Sequence, residues 1–106
     1  MRVLVGDIGG TKSLLGVVEL AAGAPPRLVH SEHYASAAVA GPAALFADFV
    51  PKAGVFARAA VAVAGPVAAG AAYLPNLGWT FDQAALAAEL GAPALLLNDF
   101  AAGGYG

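Results

Sequence analysis

Within its first eleven residues the chain runs from an apolar stretch, Val3-Leu4-Val5, into a carboxylate and a glycine-rich turn, Gly6-Asp7-Ile8-Gly9-Gly10-Thr11. Ser13-Leu14-Leu15-Gly16-Val17-Val18-Glu19-Leu20 follows with strand-like composition, so the glycines are expected in a hairpin between two strands and not at the start of a helix. Glycines without Cβ let backbone N–H groups approach a phosphate, Asp7 can hold a magnesium ion, and Thr11 adds a hydroxyl donor. The same residues also suit a plain strand–turn–strand in which Gly9-Gly10 serves only the turn. Two other phosphate motifs are excluded. The loop never reaches the Gly-Lys-Ser/Thr ending of a P-loop, and it lacks the G-x-G-x-x-G spacing of a dinucleotide site.

With 106 residues the chain has room for one domain. It is 59% hydrophobic and only 11% charged, against about 25% charged in an ordinary soluble domain. Such a chain is expected to hide a face, either against further protein or in a homo-oligomer. Five Lys/Arg, a net charge of −2 and no basic cluster argue against nucleic acid as a partner. The charge-free stretch from Ala59 to Phe81 carries an Arg-free but broken pattern, interrupted by Gly65, Pro66, Gly70, Pro75 and Gly78, and so does not read as a membrane helix. Asp7 and Gly9-Gly10 interrupt the N-terminal apolar run too early for a signal peptide. Together with the absence of cysteine, this makes the cytoplasm the expected location.

Strands are expected at Arg2–Ile8, Ser13–Leu20 and Leu28–Tyr34, the last two joined by Gly23-Ala24-Pro25-Pro26. Gly41-Pro42 opens a helix with Leu45, Phe46 and Phe49 on one face, closed by Pro51. A buried strand follows at Ala59–Ala64. Thr80 and Gln83 have the spacing of a capping box ahead of a helix from Phe81 to Leu90, which Gly91 and Pro93 end. Ala94–Leu97 is a last apolar strand, running into Asn98-Asp99-Phe100.

Asp7 and Asp99 stand apart from the other five acidic residues because each closely follows or ends an apolar strand. Ligands of α/β sheets bind beyond such strand ends. Two carboxylates so placed suit phosphoryl transfer, one managing a metal and one taking the proton of an attacking hydroxyl. Asp99 and Asn98 are equally suited to N-capping a following helix, and Asn98 to hydrogen-bonding a polyol. Trp79 can stack on a sugar ring but more commonly such a residue joins the core. His30 and His33 alternate across a strand and do not form a shared metal site. Lys12 can reach a phosphate or simply be solvated.

Taken in order, GDIGGTK, VAVAGPV, PNLGW with FD, LG and LLLNDFAAGGYG resemble the bacterial glucokinase family, within the hexokinase-type, actin-like ATPase superfamily. The first motif is shared with the ROK family of sugar kinases and repressors, whereas Asn-Asp-Phe with a downstream Tyr-Gly is closer to glucokinases. The resemblance implies an α/β, ribonuclease H-like domain: a mixed sheet with βββαβα order flanked by helices. It implies ATP-dependent phosphorylation of glucose at the 6-hydroxyl, with Mg²⁺ and a small hexose as the partners. By the same resemblance, Gly6, Asp7, Ile8, Gly9, Gly10 and Thr11 would form the first phosphate loop, with Asp7 on the metal side. Asn98 and Asp99 would bind the sugar, and Asp99 would be the catalytic base. Residues 1–106 would then be the small N-terminal domain, inactive without a C-terminal large domain. The alternatives are a ROK-type kinase for another hexose and a non-catalytic, self-associating fragment. A repressor is disfavoured because the loop starts too early for a helix-turn-helix ahead of it.

Overall fold

A computed structural model describes residues 1–75 and 77–98. Three strands form an antiparallel meander: β1 (Arg2–Ile8), β2 (Lys12–Glu19) and β3 (Arg27–Ala35). A single 3₁₀ turn, Ser36–Ala38, leads to helix α1 (Pro42–Ala53), and the chain then returns as β4 (Arg58–Val63), parallel to β1. Three short strands follow, β5 (Val67–Ala68), β6 (Ala71–Leu74) and β7 (Trp79–Asp82), and form a small antiparallel sheet. Helix α2 (Gln83–Leu90) and strand β8 (Ala94–Asn98) complete the described chain, with β8 parallel to β4. The main sheet is therefore mixed, in the order β3-β2-β1-β4-β8.

Alternation along β1 sets the two faces of this sheet. Leu4 and Ile8 are fully buried while Asp7 is exposed. Pairing carries the buried row outward to Leu15 and Val17 on β2, to Val61 and Val63 on β4, and to Leu96 on β8. Leu45, Phe46 and Phe49 of α1 and Leu86 and Leu90 of α2 close over that face, with Trp79 and Phe81 of β7, as one cluster. Among the described residues both helices lie on this side. The opposite face presents Val3, Val5, Leu14 and Leu95 without a covering layer. Among the described residues no helix is long and apolar enough to cross a membrane.

Three local expectations change, and one irregularity is added. Residues 67–79, where no element is expected, and the expected helix start at Phe81 are taken up by the small sheet, so the helix begins at Gln83. The capping box at Thr80 and Gln83 does not form: Thr80 pairs with Tyr73 in β7, and Asp82 caps α2 by accepting from the Ala84 N–H at 2.9 Å. The reason is tertiary, since a strand at 79–82 buries both Trp79 and Phe81, whose rings meet edge to face at 6.4 Å. Pro51 lies inside α1 and does not close it, because a proline so near the C-terminus removes only one i→i−4 bond. Finally β3 carries a bulge: Val17 pairs with His30 but Val18 with Leu28. The end of α2 is as expected, with Gly91 left-handed at φ 69° and its N–H on the Ala87 carbonyl at 2.9 Å.

A polar lattice joins β3 to α1. The Tyr34 hydroxyl donates to Asp48 Oδ2 at 2.7 Å, and Lys52 Nζ donates to the same oxygen at 3.1 Å. The Tyr34 bond is the main reason the Asp48 carboxyl is held below its usual range. A folded-state pKa below the unfolded one gives stability that is present above the unfolded value and lost as pH falls through the folded one. Tyr34→Phe should therefore unfold more readily than wild type at pH 6, with the difference shrinking as the pH drops below about 4, near the ordinary Asp pKa. Paired urea titrations at pH 6 and pH 2.5 test this; a pH-independent difference would remove Asp48 from the account. In the core, Phe49 is fully buried and stacks on the His30 ring at 5.8 Å. Phe49→Ala should cost about 3–5 kcal/mol, read from the urea midpoint at unchanged slope.

Candidate functional site

The parallel pairings bring three strand ends together. Ile8, Val63 and Asn98 are direct register partners across β1, β4 and β8, so the carboxyl ends of these adjacent strands form one row. With strands about 4.8 Å apart, the ends of β1 and β8 are roughly 10 Å from each other. The glycine turn leaves β1 at this edge, Ala64-Gly65-Pro66 leaves β4, and Asn98 ends β8. The Ala64 N–H donates to the Ile8 carbonyl at 2.9 Å and ties the first two exits together. Asn98 Nδ2 donates to the Gly65 carbonyl and ties the third to the second.

The turn between β1 and β2 is fixed from below by two buried serines. Ser36 is fully buried in the 3₁₀ turn after β3, and its Oγ donates to the Gly9 carbonyl at 2.8 Å. Its only hydroxyl proton is thereby committed, so in the 2.7 Å contact with Ser13 Oγ it is Ser13 that donates. The Ser36 N–H adds a bond to the Thr11 carbonyl at 3.0 Å, and the Gly9 N–H closes the turn on the Lys12 carbonyl at 3.0 Å. A Cβ on Gly9 would stand 3.0 Å from that Lys12 oxygen, so any side chain there would make the turn give by a few tenths of an ångström. Neither serine was singled out from the sequence. Ser13 was nevertheless detectable, since it occupies an inward position in register with Leu15 and Val17 on β2.

Asp7 pairs with Leu14 on one side and Ala62 on the other, on the face opposite the helices. Its carboxylate is exposed in a depression of about 380 Å³ lined by Val5, Gly6, Leu14, Gly16 and His33. Gly6 precedes it on the covered side, where an added Cβ would meet Leu15 Cδ2 at 3.0 Å. Gly10 and Thr11 follow Gly9 in the turn. Thr11 and Lys12 are exposed, and Ile8 is fully buried, so Ile8 can contribute to the loop only through its backbone. Asn98 is half-buried at the end of β8. Asp99 lies outside the described residues, as do Asn76 and the segment 100–106. His30 and His33 fall on opposite faces, and no group of three His, Cys, Asp or Glu side chains gathers among the described residues. Trp79 is buried in the core, away from any ligand surface.

Strand order β3-β2-β1-β4-β8, with a glycine turn after the central strand and Asn98 at the end of β8, is that of the actin-like ATPases. The chain superposes on the crystal structure of a glucokinase from an Antarctic psychrotroph with a TM-score of 0.83 and 31% identity, over 95% of this chain and 33% of that one. It superposes on a candidate N-acetylmannosamine kinase from Listeria monocytogenes with a TM-score of 0.65 and 25% identity, over 93% of this chain and 35% of that one. The family model described as Glucokinase matches residues 4–106. Curated glucokinases of Nostoc punctiforme and of a second Nostoc strain are each 40% identical over 98% of the chain. The chain belongs to the glucokinase family. It spans about a third of the length of these relatives, 31% and 32% respectively.

Removing the Ser36 hydroxyl leaves the fully buried Ser13 and the half-buried Gly9 carbonyl without that partner. Ser36→Ala should cost about 1–3 kcal/mol in chemical denaturation. It should also speed hydrogen exchange at the amides of residues 9–12 more than at β4. Uniform acceleration across the sheet would mean the serine pair supports the fold in general and not the turn.

Proposed function

We propose that this chain is the small N-terminal domain of an ATP-dependent hexose kinase that phosphorylates glucose at its 6-hydroxyl. One observation carries the reading: the glycine turn, the Gly65 carbonyl and Asn98 lie along a single row of parallel strand ends, with Asp7 one residue inside it. Membership in the glucokinase family supports it further. In this reading the amides of Gly10 and Thr11 receive phosphate oxygens, because that of Gly9 is already bonded to Lys12. Asp7 would hold Mg²⁺, which neutralises phosphate charge when bound. One exposed carboxylate fits that ion, since Mg²⁺ keeps most of its waters and takes one or two protein carboxylates.

Asn98 and Asp99 would hold the sugar hydroxyls, and Asp99 would accept the 6-hydroxyl proton as that oxygen attacks the γ-phosphorus. A carboxylate of ordinary pKa is a weak base toward a ground-state alcohol, but it takes the proton as the bond to phosphorus forms. Positioning and charge neutralisation would supply most of the acceleration. Since the site gathers only residues from one domain, the rest of the donor and sugar contacts would come from the longer protein, working in the cytoplasm. Structural similarity to the Listeria protein keeps other hexoses in the test set.

A coupled ADP-release assay on the full-length protein with glucose, mannose and N-acetylmannosamine tests the reading. Glucose should be the preferred acceptor. Asp99→Asn should lower kcat by about 10²- to 10⁴-fold while sugar binding, followed by calorimetry, stays within a few-fold. Unchanged turnover would remove Asp99 from the base role. Inertness toward every hexose would leave the self-associating, non-catalytic alternative.

A further inference from the structure

We propose that Gln83 is a positioning residue for Asn98, acting through strand β8; this rests on the reading of Asn98 as a sugar-binding residue. Among the described residues strand β8 is the edge of the main sheet and pairs only with β4. Its outer side is nonetheless bonded: Gln83, the first residue of α2, accepts the Leu96 N–H on its Oε1 at 2.9 Å. Gln83 is itself held, because its own N–H donates to the Gly70 carbonyl at 2.7 Å. Leu96 and Asn98 are two residues apart on one strand, hence on the same face and about 6.7 Å from each other along it. A shift of Leu96 is thus passed to Asn98 through two residues of extended backbone.

The second anchor of Asn98 comes from the same part of the chain. Its Nδ2 donates to the carbonyl of Gly65, and Gly65 is pressed against β6, where an added Cβ would meet the Tyr73 carbonyl oxygen at 3.2 Å. Gly65 opens and Gln83 closes the excursion that contains β5, β6 and β7. The small sheet is therefore a brace between β4 and α2 that grips the last strand at two points, one on its edge and one on its terminal side chain. A glutamine is suited to the first point because its side-chain oxygen reaches across from the helix N-terminus to accept the Leu96 N–H.

The test has one arm that needs no activity. The chain contains only three side-chain amides, those of Asn76, Gln83 and Asn98, so its ¹⁵N spectrum resolves them, and Asn98→Ala identifies the Asn98 pair by its loss. Gln83→Leu should move the Asn98 pair, and Gln83→Glu, which keeps an acceptor oxygen, should leave it near the wild-type position. In the full-length protein Gln83→Leu should raise the sugar KM about three- to tenfold with the ATP KM unchanged, and Gln83→Glu should restore it to within about twofold. An unmoved Asn98 pair in Gln83→Leu, or a glutamate variant no better than leucine, overturns the proposal. If Asn98→Ala itself leaves the sugar KM unchanged, the sugar-binding reading of Asn98 fails, and the spectrum alone decides whether Gln83 anchors it.

Discussion

Everything at the candidate site depends on the parallel pairing of β1 with β4. Antiparallel partners return on the other side of a turn and would separate the carboxyl ends of successive strands. A parallel partner instead puts its own carboxyl end beside that of β1, here with Ile8 opposite Val63. Such a connection requires a crossover, and α1 supplies it while burying Leu45, Phe46 and Phe49 over the centre of the sheet. The second crossover, through the small sheet and α2, repeats the operation one strand further out. Core packing and site assembly are therefore one event: the hydrophobic face that drives the helices onto the sheet also aligns the three exits at its edge.

What the core face aligns, a short polar chain then shapes. Ser13 donates to Ser36, Ser36 to the Gly9 carbonyl, and the Ser36 amide to Thr11. Both hydroxyls are out of contact with water, where an unpaired one would cost about 1–3 kcal/mol, so their bonds hold the turn in one shape in the absence of any ligand. A turn organised in advance has its donors aimed before a charge arrives, which is the condition under which backbone amides stabilise charge most effectively.

Legibility in the sequence followed the range of the forces involved. The meander, α1, β4 and β8 were readable because alternation, a proline at a helix start and apolar runs are local signals. Asp7 and Asn98 stood out because each is a polar residue at or near the end of such a run. That both lie along one edge of the sheet was not readable from spacing: it follows from the order β3-β2-β1-β4-β8, which brings residues ninety positions apart to the same row of strand ends. The small sheet escaped because its strands are only two to four residues long, too short for an alternation to show. Gln83 gave a true signal with the wrong object. Its position just inside a helix matched a capping box, but burial of Trp79 and Phe81 drew Thr80 into a strand, and the glutamine oxygen went to Leu96 instead.

The apolar composition also finds its place. Parallel strands are normally covered on both faces, and the described helices cover one. The face left over bears Leu95 at 50% and Leu28 at 60% exposure, and Asp7 stands on that same side. The depression beside it is lined by Val5, Leu14 and Leu28 together with the polar Ser31 and His33. While the depression is open, water screens it, and an ion pair at 4 Å is worth about 1 kcal/mol. At the effective dielectric of a partly closed protein site the same pair is worth about 4 kcal/mol. In the proposed reading, where Asp7 would hold the metal, its pull on that cation would grow with closure of a face that the core does not itself close.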